Sequence, residues 1–195
     1  MHDSGRVKGT ILVSRMKYLR VQGAAVVAAV MDRLAAEDRA VLDGLLLLPS
    51  AWYPAVLLKR LDAAITTALA KGQRSAMLLD LGHFNADVTL GPKGVLRPWL
   101  REGDPHGLLR EVPRIHASQH GAGRRTYERI GDRAAVVRTL ASDGFEGDDC
   151  LTTVGWLRRA IELSGGRDVK VAELTCLARG AACCEYLCEY LCEWS

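Results

Sequence analysis

The sequence predicts an α/β (α+β) fold in a single domain, residues 1–195, with a helical part to about residue 120 and strands plus one helix after it. Apolar residues at helical spacing predict the helical part, most clearly in the stripe formed by Leu57, Leu58, Leu61, Ile65 and Leu69. Alternation of valines, aromatics and charges between glycine turns predicts the strands of the C-terminal part. Because no linker-like stretch interrupts the 195 residues, we expect one domain rather than two.

Composition excludes several classes of protein. Apolar residues make up 49% of the chain and charged residues 25%, which is typical of a globular protein and not of a disordered one. The formal charge is +3 and the basic residues are mixed with acids, so no nucleic-acid partner is expected. The uncharged run from Gly44 to Leu58 contains Pro49 and Pro54 and is too short and broken to span a membrane. The first residues lack the layout of a secretory signal, so we expect a cytoplasmic protein with reduced cysteines.

The N-terminal elements follow from local signals. Residues 9–14 predict a short strand, and the Ala- and Leu-rich stretch 23–47 predicts two helices. Pro54 is well placed to open the next helix, and Gly72 is well placed to end it.

The middle of the chain predicts alternating helices and turns. Residues 73–91 predict a short helix and a turn, and Gly91 to Gly94 form a strong loop signal. A further helix is predicted from Pro105 to His120, followed by strands at 125–129 and 134–140.

The C-terminal part predicts a helix, Cys150 to Leu163, and a strand, Asp168 to Leu177, followed by a turn. The last segment, Cys184 to Trp194, repeats the tetrapeptide Cys-Glu-Tyr-Leu. As a strand it places cysteines and aromatics on one face, and as a helix it aligns the glutamates on one edge. The preceding strand and turn favour a hairpin.

Four residues are candidate metal ligands: Cys150, Glu173, Cys176 and Cys184. Three thiolates and one carboxylate can close a tetrahedral shell around Zn²⁺, which leaves no open position for chemistry. A cysteine at a helix start is also a favoured thiolate. The alternative is that these cysteines are small buried apolar residues.

The hairpin from Glu173 to Cys184, with the spacing Glu-x2-Cys-x7-Cys, resembles the C-terminal signature of the 4-vinyl-reductase domain family, which includes sensor domains of aromatic-responsive bacterial regulators. That resemblance implies a structural zinc held by these residues and by Cys150. The whole chain also resembles an uncharacterised myxobacterial protein family related to that superfamily, on the segments 7–10, 52–54 and 155–157. The tail repeat departs from the signature, so Cys188 or Cys192 can compete with Cys184 as a ligand.

The same resemblance implies helices packed on an antiparallel sheet, frequent dimerisation, and an apolar ligand chamber. Four aromatics are candidates to line such a chamber: Trp52, Tyr53, Phe84 and Trp99. Core packing is the alternative for each of them. His116 and His120 have metal-ligand spacing on one helix, but a solvated or capping role near the helix end is expected instead.

These observations predict a non-enzymatic, zinc-stabilised sensor or carrier module for a small apolar ligand, with a homodimer or another protein as partner. The ligand is expected between the N-terminal helices and the sheet, in a closed apolar cavity of roughly 300 Å³ or more. Two alternatives stay open: a ligand-free dimeric adaptor, and an accessory factor for tetrapyrrole vinyl reduction. The last would need a hydride source, and the sequence contains no dinucleotide fingerprint.

Overall fold

The computed structural model describes residues 5–43, 47–140 and 147–192. The N-terminal part consists of strands β1 (Arg6–Lys8) and β2 (Trp52–Pro54) and helices α1 (Gly9–Gln22), α2 (Ala24–Met31), α3 (Ala36–Asp43), α4 (Ala55–Leu69) and α5 (Arg74–Leu90). The C-terminal part consists of helices α6 (Pro105–Gln119) and α7 (Gly147–Leu163) and strands β3 (Arg124–Gly131), β4 (Ala134–Leu140), β5 (Gly166–Thr175) and β6 (Cys183–Cys192). Short 3-10 turns lie at Arg97–Trp99 and Leu177–Arg179.

The four C-terminal strands form one antiparallel sheet in the order β3-β4-β6-β5. Helix α6 packs on β3 and helix α7 packs on β5. The strands β1 and β2 form a separate antiparallel pair. The predicted α+β fold, with helices packed on an antiparallel sheet, is therefore confirmed. Within the described ranges, no helix is long and apolar enough to cross a membrane.

The strand predicted at residues 9–14 is wrong, because these residues begin the 14-residue helix α1. The β-branched side chains of this segment favour a strand locally. In the folded chain, however, Ile11, Leu12, Met16 and Leu19 recur at helical spacing and are all buried. Tertiary packing of this apolar face outweighs the small differences in local propensity.

The other predicted helices and strands are present, with adjusted ends. The helix predicted as short between residues 73 and 91 has 17 residues as α5. The C-terminal repeat forms strand β6, and its alternation buries Cys184, Tyr186, Cys188 and Tyr190. Parts of two predictions, residues 44–46 and 193–194, lie outside the described ranges.

Two apolar cores meet along helices α5 and α7. One core is built from α1, α2 and α4, and the other from α6, α7 and the sheet. A Cβ on Gly82 of α5 would lie 2.0 Å from the Thr152 carbonyl oxygen, and a Cβ on Gly155 of α7 would lie 2.0 Å from the Leu79 carbonyl oxygen. The two glycines therefore let the helix backbones approach closely, and this contact fixes one half of the molecule against the other.

Candidate functional sites

A cluster of four metal-type side chains lies between α7 and the β5–β6 hairpin. One ligand atom from each of Cys150, Glu173, Cys176 and Cys184 lies within 4.8 Å of all the others. The Cys150 sulfur is 3.3 Å from the sulfurs of both Cys176 and Cys184. Around a tetrahedral zinc with Zn–S bonds of about 2.3 Å, sulfurs lie about 3.8 Å apart. A small outward movement of the sulfurs would therefore make room for a metal ion.

The local backbone explains how a strand and its turn present these groups together. Residues three apart on a regular strand point to opposite faces of the sheet. The pairing of β5 with β6 shifts register between Glu173 and Thr175, which lets Glu173 and Cys176 reach the same group. Gly180 then turns the chain with a φ of 85°, so that Cys184 returns on β6.

Burial controls the protonation of the thiols. Desolvation raises the pKa of Cys150 and, with Cys176 adding to the rise, the pKa of Cys184. The Leu177 N–H donates a hydrogen bond of 3.2 Å to the Cys184 sulfur and opposes that rise. A bound cation would lower the pKa of these thiols, because it stabilises the thiolates directly. The cluster can therefore hold a metal ion.

Two further cysteines with described side chains, Cys183 and Cys188, do not join this group. Cys188 is buried on β6, and burial raises the pKa of its thiol to about 12. Cys183 is partly exposed at the start of β6. Neither belongs to the four atoms within mutual reach, so competition by Cys188 finds no support in the geometry.

A second feature is a partly enclosed cavity of about 270 Å³ between the two cores. One wall comes from β1, α1 and α4, and the other comes from α5, α6, β3 and α7. Its position agrees with the ligand site predicted between the N-terminal helices and the sheet, and its volume lies just below the roughly 300 Å³ predicted. The wall is more polar than an apolar ligand requires, because it includes Arg15, Asp62, His116, His120 and Arg125.

The two histidines of the wall are neutral. Burial, with the Arg125 charge acting in the same direction, lowers the pKa of His116 to about 2 and the pKa of His120 to about 3. His116 is 5% exposed, and a contact with the backbone of Ala122 opposes part of the fall in its pKa, but neither ring nitrogen makes a hydrogen bond of normal geometry with the described residues. A solvated position is therefore wrong for His116, while His120 occupies the predicted capping position at the end of α6.

The charged residues of the wall are held in place by specific contacts. Arg15 donates to both carboxylate oxygens of Asp62, at 2.7 and 3.1 Å. Arg125 donates to the hydroxyls of Thr139 at 3.2 Å and Thr153 at 2.7 Å. The Arg15–Asp62 pair ties α1 to α4, and the contacts of Arg125 tie β3 to β4 and α7 and hold its guanidinium beside the cavity.

The aromatics predicted to line a ligand chamber lie elsewhere. Trp52 is 39% exposed beneath the ammonium of Lys8, and the Tyr53 hydroxyl accepts a hydrogen bond from the Leu48 N–H. Phe84 packs edge-on against Tyr18 in the first core, and Trp99 packs against the second core. None of the four is among the residues lining the cavity.

Sequence reasoning missed most of the cavity residues, although a signal was present. Leu108, Val112, His116 and His120 follow one another at intervals of four on or at the end of α6. The first two are buried apolar residues, so a histidine at the next position of the same face is a polar group in a core position. Such a placement is typical of a group that contacts a cavity or a buried partner.

Comparison with solved structures gives the fold a precedent. The chain is similar to an H-NOX protein from S. oneidensis in the Fe(II)NO ligation state, with 13% identity, a TM-score of 0.72, and coverage of 94% of this chain and 99% of the other. It is also similar to the H-NOX domain from Shewanella oneidensis in the Fe(II)CO ligation state, with 14% identity, a TM-score of 0.68, and coverage of 95% and 99%. An unliganded Fe(II) H-NOX mutant from K. algicida matches with 10% identity, a TM-score of 0.67, and coverage of 94% and 96%.

At this level of identity the likeness shows the fold alone. No family model matches the sequence, and no curated protein does either. The resemblance to the 4-vinyl-reductase superfamily and to a myxobacterial family is therefore wrong, since the structures that resemble this chain over nearly its whole length are H-NOX proteins. The Glu-x2-Cys-x7-Cys spacing describes one hairpin, and a hairpin of that geometry does not determine the rest of the chain.

Proposed function

We propose that this protein is a non-enzymatic small-molecule-binding module, a sensor or carrier, whose ligand occupies the cavity between the two cores. The observation that carries the proposal is the imidazole of His116, which is buried in the cavity wall without a hydrogen bond of normal geometry to the described residues. Leaving a buried polar group unpaired costs about 1–3 kcal/mol. A ligand that hydrogen-bonds to this ring would remove that cost.

The position of the cavity supports a sensing role. A ligand there would touch α1 and α4 of one core and α6 and α7 of the other. Ligand binding would therefore stabilise the contact between the halves, and a change in that contact is a signal that a partner protein or a second copy of the chain can read.

The H-NOX structures hold Fe(II) together with NO or CO, so an iron group has to be tested against this chain. Fe(II) that binds such gases is commonly haem iron with an axial histidine. Ligand pockets span roughly 300–1,000 Å³, and an iron porphyrin belongs at the large end of that range. The cavity of about 270 Å³ lies below it.

The histidines do not fit haem either. The rings of His116 and His120 stack on each other with centroids 4.6 Å apart, which leaves no room for a macrocycle between them. His106, also on α6, uses one ring nitrogen for the Gly131 and Asp132 carbonyls and the other for the Tyr127 hydroxyl. We therefore assign no iron chemistry to this protein, and its ligand is smaller than a porphyrin.

Zinc is the metal we propose for the Cys150, Glu173, Cys176 and Cys184 cluster. Three sulfurs and one carboxylate oxygen suit zinc in a closed tetrahedral site, which supplies stability and no open position. Such an ion would join the first turn of α7 to the terminal hairpin. Its role is structural, so ligand recognition stays with the cavity.

A ligand-free adaptor would need an extended exposed apolar patch. In the described part of the chain, the exposed large apolar side chains are dispersed: Val21, Leu48, Trp52, Val95, Ile130, Leu174 and Leu191. Their separation along different elements favours the cavity as the functional feature.

The proposal is tested by screening a fragment library of neutral and charged compounds against the isotope-labelled protein, with the imidazole NMR signals as the readout. Fragments that bind in the cavity should shift the His116 and His120 signals. An Ala122→Phe variant places a ring at the cavity wall and should abolish these shifts. Ala117→Phe, at an exposed position of α6, is the matched control and should retain them. Fragment binding that is indifferent to Ala122→Phe, or a screen without any hit, would contradict the proposal.

A further inference from the structure

We infer that the groove between helices α2 and α3 is a docking face for a second copy of this chain, whose own α2 packs there in antiparallel orientation. The groove is separate from the cavity, because no described residue lines both. The inference stands on the spacing of the residues in the groove walls, on the exposure of α2, and on four charges at the rim.

Each wall of the groove is one continuous face of a helix. The groove has a volume of about 840 Å³ and is open to solvent. The wall from α2 consists of Ala24, Val27, Ala28 and Met31, and the wall from α3 consists of Ala36, Arg39, Ala40 and Asp43. Both sets have the spacing i, i+3, i+4 and i+7, which is the stripe that one helix presents to another. A groove with an apolar helical wall is suited to binding a helix.

Helix α2 exposes more apolar surface than is usual for a helix of its composition. Its residues are all alanine, valine or methionine, yet its buried residues are Val30 and Met31 alone. Ala24 and Ala28 of the groove wall are exposed, and residues 21–31 include no charged side chain. A helix that is apolar on all sides is normally buried. The exposed side of α2 therefore indicates a contact that the described part of this chain does not supply.

A second α2 fits the requirements of this wall. The alanine side chains at positions 24 and 28 allow two helix axes to approach to about 8 Å, the short end of the usual range. The partner helix is equally free of charged residues, so the contact would bury no unpaired charge. The face consists of small and half-buried side chains, and the dispersed large apolar residues are not part of it.

Four charged residues at the rim favour a second copy over another partner. Arg20 and Arg39 are the cations and Asp32 and Asp43 are the anions. None of the four side chains makes a hydrogen bond or an ion pair with another described residue. The rim therefore has no net charge, and an identical rim offers the opposite charge to each of its members. A strongly acidic or basic partner helix would instead bring like charges together, which is costly.

The order of these charges along α2 predicts the antiparallel orientation. Arg20 precedes α2, and Asp32 lies at its C-terminal cap. Rotation about a two-fold axis therefore places Arg20 of one copy beside Asp32 of the other, and the pair occurs twice. A cation beside Asp32 is also favoured by the negative end of the helix dipole. Because the same face is used by both copies, the assembly closes at two chains.

Sedimentation velocity over a range of protein concentrations tests the inference. We expect a reversible equilibrium between monomer and dimer for the wild type. Ala28→Glu places a carboxylate in the groove wall and should weaken the dimer at least about tenfold, because burial of an unpaired charge is costly. Ala25→Glu makes the same change at an exposed position of α2 outside the groove. This matched control should leave the equilibrium unchanged.

Exchange of the rim charges tests the antiparallel pairing. Arg20→Asp and Asp32→Arg should each weaken the dimer at least about tenfold, because each brings like charges together twice. The double variant restores opposite charges and should recover the equilibrium of the wild type. Both positions are exposed, so these substitutions are compatible with folding, which circular dichroism checks.

Three results would overturn the inference. A wild type that stays monomeric at every concentration would assign the groove to another protein or to none. A dimer that is indifferent to Ala28→Glu would place the interface elsewhere. A double variant as weak as the single ones would exclude the pairing of Arg20 with Asp32, and this exchange decides if Ala28→Glu does not fold. All three results are independent of ligand binding in the cavity.

Discussion

His116 and His120 stack face to face in the wall of the cavity, with ring centroids 4.6 Å apart and ring planes at 16°. The stack places two neutral imidazoles one helical turn apart, where α6 ends. Protonation of both rings would bring two positive charges into contact beside Arg125. The arrangement is therefore compatible with the neutral state of both rings.

Replacing His116 by phenylalanine should stabilise the ligand-free protein. The substitution keeps an aromatic ring against His120 and removes two ring nitrogens that lack normal hydrogen bonds to the described residues. We expect the free energy of unfolding to rise by about 1–3 kcal/mol, the cost of an unpaired buried polar group. Urea denaturation at pH 8 measures the change.

His106→Phe is the matched control on the same helix. Its nitrogens are hydrogen-bonded to Tyr127, Gly131 and Asp132, so this variant should lose about 1–3 kcal/mol. Destabilisation of both variants by similar amounts would mean that the His116 ring already has partners of comparable strength.

Acid should destabilise the wild type more than the His116→Phe variant. The pKa of His116 is lowered to about 2 in the folded protein, whereas an unfolded histidine titrates near 6.5. Between these values the unfolded state binds the proton and the folded state does not, so stability falls as pH falls below about 6.5. The loss approaches about 1.4 kcal/mol per pH unit for one histidine.

Urea denaturation at pH 7, 6 and 5 tests this dependence. The difference in unfolding free energy between His116→Phe and wild type should grow as the pH is lowered. His120 is lowered to about 3 for the same main reason, so the variant retains part of the acid sensitivity. Parallel profiles for the two proteins would show that His116 titrates normally.

Haem added to the purified protein should not form a stoichiometric complex. The cavity of about 270 Å³ is too small for a porphyrin, which belongs at the large end of the range of ligand pockets. Titration with haemin followed by absorbance spectroscopy should give a gradual, unsaturated change that is identical in wild type and Ala122→Phe. A sharp one-to-one end point that Ala122→Phe abolishes would refute this expectation.

The C-terminal half could be predicted because its sequence patterns are local. Alternation in the tail repeat predicted which residues of β6 are buried, and the hairpin spacing brought together Glu173, Cys176 and Cys184. The helix at residues 9–14 could not be predicted from the sequence, because its β-branched side chains favour a strand locally. Burial against other helices selects the helix instead.

The cavity could not be predicted from the sequence in the same way. Its wall combines residues far apart in the chain, such as Arg15, Asp62, His116 and Arg125. No periodicity relates these positions, because the packing of α5 on α7 and of α6 on β3 sets their distances. The aromatics predicted to line the cavity are placed instead by core packing and by the β1–β2 pair.

Protein purified without an affinity metal column should contain about one zinc per chain, measured by elemental mass spectrometry. Cys176→Ser should lose the metal, because it removes one of the four atoms that lie within 4.8 Å of one another. Structural zinc is coupled to folding with a free energy on the order of 10 kcal/mol, so the variant should lose several kcal/mol of stability.

Cys183→Ser is the control for the zinc prediction, because Cys183 lies on the same hairpin but outside the group of four. It should keep both the metal and the stability of the wild type. A well-folded wild type without zinc, or a Cys176→Ser variant of unchanged stability, would leave the cluster as packed thiols. The binding of small molecules in the cavity would be unaffected by that result, since no described lining residue belongs to the cluster.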